Sequence, residues 1–175
     1  KENNLDLLIN LSASPFTTSK KEERGNVFAK VSEKLNIPLI YVNQTGGQDE
    51  LVFDGTSSVI NKQGDVTIEL KSFATDSIQF NHEEINKSSI KEKSSNRLKD
   101  LYDSLVLATK DYVEKNNFKG VLIGSSGGID SALTATIATD ALGSEKVRTI
   151  MMPFKYTADI SINDAELLAK NLKIN

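Results

Sequence analysis

Gly124-Ser125-Ser126-Gly127-Gly128-Ile129-Asp130-Ser131 follows the apolar run Val121-Leu122-Ile123 and leads into the small-residue stretch Ile129–Leu142. The run before it is strand-length, and the stretch after it is helical in length and closes on Gly143, a residue suited to the turn past a helix end. A turn in this position lies beyond the carboxyl end of a strand, where open α/β sheets hold their ligands. Glycines let an anion approach the backbone closely, so the turn amides and the positive end of the helix can hold phosphate oxygens. Ser126 and Ser131 add hydroxyl donors, and Asp130 is suited to a Mg²⁺ ion bridging polyphosphate oxygens. The Gly-x-x-x-x-Gly-Lys-Ser/Thr pattern of ordinary phosphoryl-transfer loops is absent. Gly127-Gly128 alone would be only a tight strand-to-helix turn; the serines and the aspartate around it favour a phosphate site.

Downstream of the loop, residues 146–152 read as a second strand. Ser161 is expected to cap a final helix, with Asp164 and Glu166 in its first turn. Upstream, Arg97–Lys115 places Leu98, Leu101, Tyr102, Leu105, Ala108, Tyr112 and Val113 on one helical face, and residues 118–123 read as a strand. Helix, strand, helix, strand, helix predicts a parallel sheet with right-handed crossovers, the start of a doubly wound α/β domain over 97–175.

Residues 76–96 are polar and charged without a sustained period and read as a linker; a short surface helix at 82–87 is the alternative. His82, the only histidine, falls there and is read as solvated. Over residues 1–75 a strand is expected at 5–11, then a helix over Lys20–Leu35 with Val27, Phe28, Val31 and Leu35 on one face, then a strand at 37–42. A turn at Gly46-Gly47 should lead to a hairpin of 51–53 and 56–60 joined by Asp54-Gly55, and a turn at 61–64 to a strand at 66–70. This is the closing half of an α/β sandwich.

Composition narrows the function classes. At 38% hydrophobic and 26% charged the chain is globular in type, and its net charge of −3 lacks the basic excess that holds a nucleic acid backbone. No apolar stretch is long enough for a membrane-spanning helix, and no signal peptide or cysteine is present, so a cytoplasmic location is the default expectation. The chain opens on Lys1 and stops straight after an amphipathic run, and is expected to be a piece of a larger protein.

Ser126-Gly127-Gly128-Ile129-Asp130-Ser131 resembles the signature of the N-type ATP pyrophosphatases. These enzymes cleave ATP between the α and β phosphates to adenylate a substrate oxygen. NAD, GMP and asparagine synthetases share the signature. The wider chain distinguishes among them. Asp111-Tyr112-Val113, Asp130 through Ala135, Met151-Met152-Pro153 and Asp164-Ala165 resemble the synthetase domain of the glutamine-dependent NAD synthetases. Asn10 through Phe16, Lys21 through Arg24, Tyr41 through Gln44 and Gly46 through Gly55 resemble the glutaminase domain of the same family, which has the nitrilase fold.

The resemblance implies an internal fragment: residues 1–75 the C-terminal part of a nitrilase-like glutaminase domain, 76–96 a linker, and 97–175 the N-terminal part of the ATP pyrophosphatase domain. It implies a ligase that makes NAD from deamido-NAD, ATP and glutamine-derived ammonia through an acyl-adenylate, with Mg²⁺ at Asp130. The ATP site would comprise Gly124, Ser125, Ser126, Gly127, Gly128, Ile129, Asp130 and Ser131, with Met152 against adenine, and glutamine would meet Ser14 and Lys20. Glutamine hydrolysis in the family uses a Glu-Lys-Cys constellation, expected upstream of this chain, so no residue here is assigned a catalytic role. The partners implied are deamido-NAD, ATP and glutamine, with neither nucleic acid nor membrane, in a homo-oligomer. Two positions depart from the family pattern: Ser125 replaces an apolar residue, and Phe154-Lys155 replaces a small residue after Met-Met-Pro. The alternatives are another adenylating amidotransferase sharing only the loop, and a non-catalytic nucleotide-binding scaffold.

Overall fold

The computed structural model describes residues 5–86 and 96–175. The chain divides into two compact units, one of residues up to Gly46 with Glu50–Ser104, the other of Gly47–Asp49 with Leu105–Asn175.

In the first unit, β1 (Leu8–Ser12), α1 (Lys20–Leu35) and β2 (Leu39–Asn43) form a β-α-β unit, with β1 and β2 parallel. Two antiparallel strands extend the sheet from β2: β5 (Ser58–Ile60), then β6 (Val66–Glu69). Between them in sequence, β3 (Thr45–Gln48) and β4 (Leu51–Asp54) make a separate pair. Strand alternation turns Leu39, Tyr41 and Asn43 to the buried face of β2. Leu39, Tyr41 and Ile60 form the core, with Phe28 and Val31 of α1 packed on it. Leu39 and Ile60, both fully buried, each contribute about 1.5–3 kcal/mol by burial.

The helix at Lys20–Leu35 and the turn at 61–64 stand where the sequence puts them, but three details differ. Val27 and Leu35 are exposed, and the buried stripe of α1 carries Arg24 and Ser32 with Phe28 and Val31. Gly46 and Gly47 lie inside β3; the turn falls at Asp49-Glu50, where Asp49 takes a φ of 51°. Asp, like Gly, tolerates the left-handed region, so the glycine pair did not fix the turn. Asp54-Gly55 is not a hairpin loop. The chain there leaves β4 for the larger sheet, and Gly55 bridges Ser72. The Asp54 side chain is buried against Arg24, Asn43 and Thr56, which a two-residue surface loop would forbid.

A 3-10 helix at His82–Asn86, with Ile85 buried, occupies part of the segment read as linker or short helix. Residues 87–95 of that segment, like 1–4, lie outside the described residues.

In the second unit β7 (Val121–Gly124) and β8 (Val147–Ile150) are parallel neighbours connected through α3 (Ile129–Leu142). Its alanines let α3 approach the sheet closely: Ala135, Ala138 and Ala141 are buried in one cluster with Val113, Leu142, Val147 and Ile174. Val113 comes from α2 (Arg97–Lys115). The last helix, α4 (Asp159–Leu172), lays Leu168, Ala169 and Leu172 on the same cluster. It begins two residues before Ser161, with Ala158 at the N-cap, so Ser161 is not its cap and Asp159 is the acid of its first turn.

Candidate functional site

The carboxyl ends of β7 and β8 lie side by side, because the two strands pair in parallel register from Val121 with Val147 to Gly124 with Ile150. Ser125 N–H donates to Ile150 O at 2.9 Å, carrying the ladder one residue past the strand. The chain then turns through Ser126-Gly127-Gly128 into α3. Gly127 has φ 77°, and a Cβ there would stand 2.2 Å from Ser161 O, so both its conformation and its contact with the start of α4 require glycine.

Gly128 occupies the N-cap of α3 in extended conformation, with no side chain to cap the helix. Helix geometry leaves the N–H groups of Ile129, Asp130 and Ser131 without intrahelical acceptors. The positive end of the helix thus opens onto the loop. Two hydroxyls brace the turn. Ser126 N–H donates to Ser131 Oγ at 3.3 Å, Gly128 N–H to Ser126 Oγ at 3.2 Å, and Ser131 O–H to Gly128 O at 2.9 Å. The sequence suggested both serines as phosphate donors; the structure also gives them the work of holding the loop closed.

Asp130 sits exposed in the first turn of α3. Among the described residues no three His, Cys, Asp or Glu side chains gather as a metal cluster. A cation at Asp130 would therefore take most of its ligands from polyphosphate oxygens and water, which suits Mg²⁺. The Met152 methyl lies 3.8 Å from where a Gly124 Cβ would be, and its side chain is otherwise exposed, beside the first residue of the loop. Ser125, one of the two departures noted in the sequence, is buried, with its Oγ lacking a hydrogen-bond partner.

The other two sequence-predicted residues, Ser14 and Lys20, belong to the first unit. Lys20 opens α1, half-exposed, 3.7 Å from Glu23. Ser14 lies in the segment after β1, and its backbone is held by Asn43 and Arg24. Sequence reasoning missed this support. Its trace was there: Arg24 precedes Phe28 by four positions, which puts a charge on the apolar stripe of α1.

Residues 101–175 match the family model for NAD synthase. Over 98% of its length the chain is similar to glutamine-dependent NAD(+) synthetases, 40% identical to that of Acinetobacter baylyi and 41% to that of Synechocystis sp.. A solved glutamine-dependent NAD+ synthetase from Acinetobacter baumannii, in complex with adenosine diphosphate, superposes with a TM-score of 0.91 at 39% identity, over 98% of this chain and 33% of that one. The enzyme from Cytophaga hutchinsonii, 17% identical with a TM-score of 0.84, shares the fold. The chain spans about a third of the length of these relatives, 32% and 31% for the first two. The similarity runs through both units and is not confined to the loop.

Proposed function

We propose that this chain is part of a glutamine-dependent NAD synthetase, and that the loop Gly124–Ser131 holds the pyrophosphate of ATP. The observation that carries the proposal is the uncapped N-terminus of α3 beyond two parallel strand ends, in a chain similar to these enzymes over 98% of its length. The uncapped amides and the helix dipole attract the β and γ phosphates. Met152, beside Gly124, supplies an apolar surface for adenine. The α phosphorus is thereby presented to the nicotinate carboxylate of deamido-NAD. The carboxylate oxygen attacks it, the bond to the β phosphate oxygen breaks, and pyrophosphate leaves. Ammonia then adds to the acyl carbon of the adenylate and AMP departs, giving the amide. Mg²⁺ bound with Asp130 would offset charge on the departing pyrophosphate.

Ser14 and Lys20 are assigned to glutamine, the source of the ammonia. The cysteine nucleophile of glutamine hydrolysis is not among these residues, which include no cysteine. On this reading residues 1–75 belong to a nitrilase-like glutaminase domain, 76–96 to a linker and 97–175 to a doubly wound ATP pyrophosphatase domain, which the similarity through both units supports.

The experiment is a choice of acceptor. The intact enzyme, given ATP and ammonium, should release AMP with deamido-NAD and not with xanthosine monophosphate. AMP release with xanthosine monophosphate alone would place the chain with another adenylating amidotransferase. ATP binding with no AMP from either acceptor would leave a nucleotide-binding scaffold.

A further inference from the structure

The first unit contains a buried polar assembly to which nothing above gives a function. Asn43 lies on the buried face of β2, two residues beyond Tyr41. Its side chain meets the backbone of Ser14 at both polar atoms: Ser14 N–H donates to Asn43 Oδ1 at 2.8 Å, and Asn43 Nδ2 donates to Ser14 O at 3.2 Å. A carboxamide bonded this way acts as one rung of a β-ladder. Asn43 is itself held in place. Its N–H donates to Ser57 Oγ at 3.0 Å, and its Nδ2 also reaches Asp54 Oδ1 at 3.3 Å.

Asp54 in turn binds Arg24 through both oxygens, with Nη1 to Oδ1 at 2.9 Å and Nη2 to Oδ2, and accepts from Thr56 Oγ1 at 2.9 Å. Arg24 lies over the Tyr41 ring, 5.4 Å from its centroid, and its Nη1 points to Ser14 O at 3.5 Å. Arg24, Asn43 and Asp54 are each less than a tenth exposed. Burying two charges and an amide is costly unless each is satisfied. Apolar residues of similar volume would support the sheet without that cost, and the shared target of Asn43 and Arg24 is the carbonyl of Ser14.

We infer that Asn43, with Arg24 oriented by Asp54, is a positioning residue for Ser14 and acts on glutamine only through it. This rests on the assignment of Ser14 to glutamine. Two further bonds anchor the segment around Ser14, Gln44 N–H to Ser12 O at 2.9 Å and Phe16 N–H to Val52 O at 2.7 Å, and Asn43 fixes its middle. A misplacement of about 1 Å at a binding group is enough to cost one to two orders of magnitude in its contribution.

The test compares Ser14→Ala, Asn43→Ala and the double variant in the intact enzyme, with glutamine and with ammonium as nitrogen source, alongside thermal unfolding. Asn43→Ala is expected to raise KM for glutamine about tenfold while kcat with saturating ammonium stays unchanged. The double variant should be no worse than Ser14→Ala, because without the hydroxyl there is nothing left to position. If Asn43→Ala unfolds, Arg24→Lys serves instead. It keeps the charge opposite Asp54 but loses the bond to Ser14 O, and a rise of about threefold in KM for glutamine is expected. An unchanged KM in the positioning variant, or effects that multiply in the double variant, would overturn the inference while leaving Ser14 in place. An unchanged KM in Ser14→Ala would instead remove the assignment of Ser14, and the inference with it.

Discussion

At Gly127 the loop has room for a hydrogen atom and not for a methyl group. The Cβ of an alanine would collide with backbone atoms of Ser161, 2.2 Å to the oxygen and 2.7 Å to the Cα, in a region of φ that side chains rarely adopt. Helix backbone cannot move aside as a side-chain tip can. Gly127→Ala should therefore lower stability by about 1–3 kcal/mol and abolish ATP binding, measured by thermal unfolding and by titration calorimetry with ATP. Asp130 is the converse case, an exposed side chain in the first turn of α3. A carboxylate beside polyphosphate oxygens is repelled by them unless a divalent cation lies between. Asp130→Asn keeps the shape and removes the charge, so the melting temperature should stay within a degree or two of the parent's, on the order of a neutral surface change. Pyrophosphate release with deamido-NAD should fall at least about a hundredfold with either nitrogen source, the scale of losing one electrostatic contact to the reacting charge. A normal rate with the parent's Mg²⁺ midpoint would make Asp130 a helix-start residue only.

Among the elements, α1, α2 and α3 lie where the sequence puts them. In α2 and α3 the signals were local, an apolar period in one and Gly128 and Gly143 at the ends of the other. The elements that departed were those whose bounds depend on distant partners. Asp54-Gly55 has the composition of a hairpin turn, and what overrides it is Arg24, thirty positions earlier in the chain, claiming the Asp54 carboxylate. Ser161 has the side chain of a cap, yet α4 begins earlier, and what Ser161 contributes is its backbone, laid against Gly127. The turn from β7 into α3 was legible because its residues are contiguous. The support behind Ser14 was not, because it comes from α1, β2 and β4. The difference at Ser161 is measurable. Removing a true N-cap costs about 1 kcal/mol, whereas Ser161→Ala should change the unfolding free energy by less than about 0.5 kcal/mol, read from urea denaturation. A loss of the full capping energy would return Ser161 to the helix end.

For the whole molecule, none of the described helices is long and apolar enough to cross a membrane. The two units differ in where their polar groups lie. The first buries an ion pair and an amide beside Ser14, and the second leaves a helix N-terminus open beyond its sheet. Their similarity to glutamine-dependent NAD(+) synthetases covers 98% of this chain and about a third of those proteins. In the proposed reaction the loop at Gly124–Ser131 presents the α phosphorus of ATP to a carboxylate oxygen. The most direct measurement follows that oxygen. Deamido-NAD carrying ¹⁸O in its nicotinate carboxylate is turned over by the intact enzyme with ATP and ammonium, and the products are weighed by mass spectrometry. One labelled oxygen is expected in AMP for each NAD formed, with pyrophosphate unlabelled; label in pyrophosphate or inorganic phosphate, or AMP without label, would contradict the account.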